Sequence, residues 1–321
     1  MTPGALGAGV RGGSARPSAD VQAWTEIRPR RLFDEDFLRR LEKLSIVSRR
    51  VAFGRGKGER RSLRKGSGVE FRDYRPYTIG DDLRYVDWNI YSRLDRMVLK
   101  LFVEEEDLCV HLLVDSSASM AFGRPPKLDY ALRTAGALGY IGLANLERVA
   151  VGLFGEGVAT HLRPRRGRGQ ILPLLEFLGG VRPLAGRTDL KASLEEYALK
   201  ATMPGVAVVI SDLLDPKGYQ AGLVALRRRR LEVLLLHLVA EEELHPDLAG
   251  DLRLLDAEGG PAREMTVDGP ALAAYRERLH GFFADVERFC LRHQVDYVRC
   301  STAVPFDALV LRHLRQGGFV R

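Results

Sequence analysis

Three stretches of this chain, residues 108–114, 206–210 and 231–239, are nearly continuous apolar runs of strand length. A strand that is apolar on both faces must be covered on both, and central strands of parallel sheets meet that condition. Helical patterns separate the runs. Residues 128–146 place Leu128, Leu132, Ala135, Leu138 and Leu143 on one face, and further helices are predicted over 170–178, 190–201, 219–229, 270–293 and 306–314. Asp189 falls at the cap or first turn of the third of these. Shorter strands are predicted over 97–103, 149–154, 158–163 and 295–299, and a hairpin over 252–255 and 264–267 around Glu258-Gly259-Gly260. Strands alternating with helices predict an α/β fold with a doubly wound, mostly parallel sheet, whose ligands sit beyond the carboxyl ends of the strands.

The amino-terminal third departs from this rhythm. Residues 1–33 are rich in Gly, Pro, Ser and Arg without periodicity and are predicted to be a disordered basic tail. Residues 34–103 form an amino-terminal module. Phe37, Leu41 and Leu44 mark an amphipathic helix, 51–68 is a Gly/Arg loop, and 68–89 is dense in aromatic and paired charged residues, as an ordered but irregular segment would be. Residues 104–315 are assigned to the α/β domain. Net charge is +7, yet residues 1–65 hold 16 basic and 7 acidic side chains while the remainder holds 33 and 35, so the positive excess belongs to the first segment alone. No aromatic residues alternate with those arginines as stacking platforms would, which disfavours nucleic acid as the ligand. The sequence shows no apolar run of membrane-spanning length and no secretory leader, so a cytoplasmic chain without membrane contact is expected. Cys109, Cys290 and Cys300 match no zinc spacing.

The chemistry concentrates at Asp115-Ser116-Ser117-Ala118-Ser119, directly after a buried strand. Residues two apart in an extended turn point the same way, so one carboxylate and two hydroxyls converge at the sheet's carboxyl edge. Thr188, in the loop before a helix, and Asp212, directly after another buried strand, fall at equivalent places. Oxygen donors with only two carboxylates suit one Mg²⁺ or Mn²⁺ per chain better than Zn²⁺. Taken singly, Asp115 and Ser117 are also ordinary cap and turn formers.

Asp-x-Ser-x-Ser, a later Thr, and an Asp after a buried strand resemble the metal-ion-dependent adhesion site of von Willebrand factor A domains. The resemblance implies metal ligation by Asp115, Ser117, Ser119, Thr188 and Asp212, with the serines direct and a partner's acidic residue completing the shell. Upstream, Gly68-Val69-Glu70-Phe71-Arg72-Asp73-Tyr74-Arg75-Pro76-Tyr77 and Gly80-Asp81-Asp82-x-Arg84-x-x-Asp87-Trp88 resemble the signature of a bacterial domain-of-unknown-function family, number fifty-eight. Members of that family pair this segment with a von Willebrand A-like domain and are typically encoded beside MoxR-type AAA+ ATPases. The resemblance implies an adaptor or co-chaperone of such an ATPase in the maturation of a client protein.

Two sets of residues are candidates for touching the partner. Arg187 stands beside Thr188 and offers a fork for a carboxylate. Arg72, Arg75, Asp81, Asp82, Arg84, Asp87 and Trp88 form either a docking face or an internal network that ties an irregular segment together. No catalytic residue is assigned. His111 and His237 lie inside strand runs and are expected in the core, and no phosphate-binding loop of the GxxxxGK[ST] type occurs. The alternatives to a binding module are a metal-dependent phosphoester hydrolase and a nucleic-acid binder acting through the basic segment.

Overall fold

The computed structural model describes residues 33, 35–41, 44, 46, 69–104, 109–155, 157–184 and 188–309. The basic tail, the Gly/Arg loop, most of the acidic run at 104–107, Arg187, and the end of the last expected helix lie outside them.

Six strands form the central sheet in the order β10-β7-β6-β3-β4-β5, where β3 is Cys109–Asp115, β4 Arg148–Phe154, β5 Val158–Arg166, β6 Gly205–Ser211, β7 Leu231–Val239 and β10 Asp296–Ser301. All neighbours are parallel except β4 and β5, which form an antiparallel hairpin. The chain runs outward from β3 to β4 and β5, then crosses back to β6 on β3's other side. The point where the order reverses therefore lies between the ends of β3 and β6. In β5 the register with β4 shifts between Val149 and Val151, which leaves Arg163 and Pro164 as a bulge opposite Ala150.

Strand alternation divides the core in two. Val110, Leu112 and Val114 of β3, Val206, Val208 and Ile210 of β6, and Leu234, Leu236 and Leu238 of β7 face one side, against α3 (Lys127–Ala144) and α4 (Ile171–Gly179). Leu113, Ala207, Val209, Val233 and Leu235 face the other side, against α5 (Leu190–Lys200), α6 (Gln220–Arg228) and the inner half of α8 (Gly269–Arg292). Phe37 and Leu41 of α1 (Glu35–Leu41) join the first cluster, where the Phe37 ring stacks on Phe33 and meets Phe306 at a tilt. His111 and His237 are both buried and bonded through Nδ1 to Tyr197 and Tyr297 hydroxyls at 2.8 and 2.9 Å. Burial lowers each pKa to about 4, so both are neutral core residues.

The amino-terminal module is more regular than its sequence suggests. β1 (Val69–Pro76) pairs antiparallel with β2 (Val98–Glu104), and α2 (Trp88–Leu94) follows a 3-10 turn at Leu83–Tyr85. A register shift between Phe71 and Asp73 breaks the period of two that marks a strand, which is why this one was not expected. An insertion lies at the carboxyl end of β7. There, α7 (Glu241–Leu244) leads into a separate ribbon of β8 (Gly250–Leu254) and β9 (Arg263–Val267), followed by the mostly exposed first half of α8. No helix among the described residues is long and apolar enough to cross a membrane.

Candidate metal and partner site

Asp115 ends β3 and Asp212 follows β6, so the reversal point of the sheet brings both carboxyls to one edge. Asp115 is 1% exposed and accepts from the Ser211 hydroxyl at 2.6 Å and from the Ser117 backbone N–H at 3.0 Å. The latter contact is an Asx turn, and it explains why a strand can end in Asp-x-Ser without losing its last partners. Ser116 points the opposite way, its hydroxyl and N–H both donating to the Phe154 carbonyl of β4. This leaves the odd-numbered side chains for the site. The Ser117 and Ser119 hydroxyls lie 3.0 Å apart at the start of a 3-10 turn, Ala118–Ala121.

Thr188 reaches the edge by another route. The Asp189 N–H donates to the Gly155 carbonyl just beyond β4, and Asp189 caps α5 by accepting from Ala192 at 2.8 Å. Asp215 holds the same helix start by accepting from the Leu190 N–H at 2.6 Å. Thr188 itself is buried, and its hydroxyl and N–H both donate to the carboxylate of Glu258, at 2.5 and 3.1 Å. Glu258 belongs to the turn of the β8–β9 ribbon, 70 residues away in sequence.

The site contains a cation of its own. Lys127, the first residue of α3, is 0% exposed, with Nζ 2.7 Å from Asp212 and 2.5 Å from Glu243. Burial alone would lower its pKa, but the two carboxylates outweigh it and raise it, so the amine is an ammonium. Asp212 also accepts from the Leu214 N–H at 3.0 Å. Among the described residues, no such cation stands beside Asp115. Burial and the neighbouring Asp212 charge push its pKa well above the usual carboxylate range. A buried carboxyl facing a second carboxylate and two adjacent hydroxyls is a place where added positive charge is favourable. Among the described residues no three His, Cys, Asp or Glu side chains converge as a zinc site would require. The donor set thus fits a hard cation, with the hydroxyls and the Asp115 carboxyl as its donors and Asp212 engaged by Lys127.

Of the five residues expected to ligate a metal, four stand together at the β3 and β6 ends, and Thr188 enters from the α5 loop with its hydroxyl committed to Glu258. Sequence reasoning missed Lys127, Ser211, Glu243 and Glu258. Lys127 had a signal, since it sits on the apolar stripe of α3 with Ala131, Ala135 and Leu138, where a lysine must find a buried partner. Glu258 had none, because its contact is made entirely through the fold.

The upstream charges are largely spent on one another. Arg75 grips Asp81 with both terminal nitrogens, at 2.8 and 2.6 Å, and Thr78 donates to Asp81 as well. Asp82 caps the 3-10 turn and pairs with Arg84. Asp87 caps α2 through Asn89 and Ile90, accepts from the Tyr74 hydroxyl at 3.0 Å and meets Lys100 at 3.1 Å. Arg72 falls within β1. Trp88 is not packed inward: it is 54% exposed, edge-on to Tyr91, on a module that also exposes Ile79 and Leu94.

Comparison with known proteins agrees with the signature read upstream. Residues 73–281 match the family described as protein of unknown function DUF58. The chain belongs to the DUF58 family. Uncharacterized proteins of Mycobacterium bovis and Mycobacterium tuberculosis are 28% identical over 276 residues, covering 85% of this chain and 83% of theirs. Among solved structures, the conserved hypothetical protein BatB from Bacteroides thetaiotaomicron is similar at 15% identity with a TM-score of 0.43, over 66% of this chain and 98% of its own. The pilus adhesin SpaC from Lactobacillus rhamnosus GG aligns at 11% identity and a TM-score of 0.42, over 68% of this DUF58 chain and 31% of the adhesin.

Proposed function

We propose that this DUF58 protein is a metal-dependent protein-binding module of the von Willebrand A-like type, in which Mg²⁺ or Mn²⁺ held by Asp115, Ser117, Ser119 and Thr188, with Asp212 acting through water, recruits an acidic residue of a partner. The observation that carries this reading is the paired hydroxyls of Ser117 and Ser119, 3.0 Å apart, beside the buried carboxyl of Asp115 at the reversal point of the sheet. Neutral hydroxyls leave a bound divalent ion with residual positive charge, which an external carboxylate would satisfy. When bound, the ion supplies that attraction and the chain supplies the geometry. His111 and His237, turned into the core against tyrosines, leave a binding role favoured over hydrolysis.

The partner suggested by the family resemblance is a MoxR-type AAA+ ATPase, with this chain as its adaptor in maturing a client. A cytoplasmic setting fits that reading. Two measurements test it. Calorimetric titration with Mg²⁺ should show binding by the wild-type chain that Asp115→Ala reduces at least about tenfold, the loss of a charged ligand, while circular dichroism stays unchanged. Retention of the ATPase on the immobilised chain should disappear with EDTA and in Ser117→Ala. Identical Mg²⁺ isotherms for wild type and Asp115→Ala would remove the metal from the reading.

A further inference from the structure

The turn of the β8–β9 ribbon is exposed almost throughout, from Arg253 to Gly259, with one half-buried exception, Glu258. Its own backbone N–H is fixed by the Asp256 carboxylate at 2.8 Å, which aims the side chain away from the ribbon. Both carboxylate oxygens then meet one residue, Thr188, through its hydroxyl and its N–H. The ribbon grows from the carboxyl end of β7, and the Tyr275 hydroxyl of α8 donates to the Glu243 carbonyl at 2.8 Å, tying its far side to the same edge. Glu243 in turn holds Lys127. The insertion is therefore seated over the strand ends where Asp115 and Asp212 lie, and the group it presents there is a carboxylate.

We propose that Glu258 is an internal ligand of the site: the ribbon's carboxylate occupies the Thr188 position that a partner's acidic residue would need, so the ribbon must release Thr188 before a partner docks. The proposal rests on the reading of the site as one that captures carboxylates. The chemistry is that of competition between like groups. A carboxylate bonded to a hydroxyl and an N–H is held by two charge-assisted contacts, one to each oxygen. An incoming carboxylate offers the same acceptors and replaces them without leaving a buried donor unpaired. The ribbon is suited to yielding. Among the described residues its strands pair with each other alone, and they are exposed apart from Leu252 and Val267.

Hydrogen–deuterium exchange of residues 250–267 reads the contact directly. Without metal, exchange in Glu258→Ala should be about tenfold faster than in wild type, the effect of losing a charge-assisted pair, with Glu258→Gln intermediate. Equal rates in all three chains would overturn the proposal. Sodium acetate, compared with sodium chloride at equal ionic strength, is the competing probe. Acetate should speed exchange of the wild-type ribbon several-fold and leave Glu258→Ala unchanged. An acetate effect absent from wild type would also overturn it, reducing Glu258 to a strut. Adding Mg²⁺ separates this from the reading beneath it. A failure of wild type to bind Mg²⁺ removes the metal, while the metal-free exchange rates still decide whether Glu258 is displaceable.

Discussion

At the scale of single residues, the site is governed by how buried charges are balanced. Lys127, with no exposure to water, is the shared counterion of Asp212 and Glu243. Replacing it with methionine keeps the volume and removes the charge, which leaves the buried Asp212 and the half-buried Glu243 without their counterion. Lys127→Met should cost about 3–5 kcal/mol of stability, read by urea unfolding, whereas Lys200→Met, whose partner Glu196 is exposed, should cost less than about 1 kcal/mol. His111 gives the pH response. Burial holds its folded pKa at about 4, below the 6.5 of the unfolded side chain. The folded state thus binds the proton less tightly, so its stability is complete above pH 6.5 and is lost as pH falls toward about 4. The full loss is about 3 kcal/mol. In His111→Phe, unfolding free energy should vary less across that window than in wild type, although its neutral-pH stability is lower because the Tyr197 hydroxyl loses its partner. A steeper dependence in the variant would refute the assignment. The placement of Asp115, Ser117, Ser119 and Asp212 at one sheet edge was legible because Asp115 ends one recognisable strand, Asp212 directly follows another, and the serines lie two and four residues beyond Asp115. Glu258 was not, since nothing local to it differs from an ordinary hairpin turn.

At the scale of elements, legibility followed burial. The strands β3, β6 and β7 are apolar on both faces, and the helices packed on them keep a regular stripe, so their presence and order followed from pattern alone. The misses are elements whose pattern is interrupted. β1 hides behind its bulge, α2 is short and capped by Asp87, a residue type that also serves turns, and α7 is a single turn that starts at Ala240, which has no capping side chain. What no pattern revealed is how closely β3 and β6 start together. A Cβ built on Gly205 would collide with the backbone carbonyl of Cys109, and Gly205 has φ +156°. Backbone cannot step aside as a side chain does. Gly205→Ala should therefore destabilise the chain by about 3 kcal/mol or more, the upper range for overpacking, and should weaken Mg²⁺ binding by disturbing the pairing that aligns Asp115 with Asp212. Gly169→Ala, where the new Cβ would meet open space, is the control and should be neutral within about 0.5 kcal/mol.

At the scale of the whole molecule, charge is divided between a basic first segment and a body that sums to −2, from 33 basic and 35 acidic residues beyond position 65. Any retention of a DNA or RNA probe by the full chain should be weak at low salt and gone by about 150 mM, because it would come from counterion release by the segment alone. Retention that persists at that concentration, measured by fluorescence anisotropy, would favour a nucleic-acid partner over a protein one. The border of the sheet bears on how any partner approaches. β5 is one of the two edge strands of the sheet, and it carries Pro164, which has no N–H to give, in a bulge with the exposed Arg163 and beside the exposed Arg165. A neighbouring strand laid along it would find a missing donor, a kinked rail and a row of like charges. The flank is thus closed to lengthwise addition, by a partner or by a second copy, and molecules crowded together have no shared ladder along which to polymerise there.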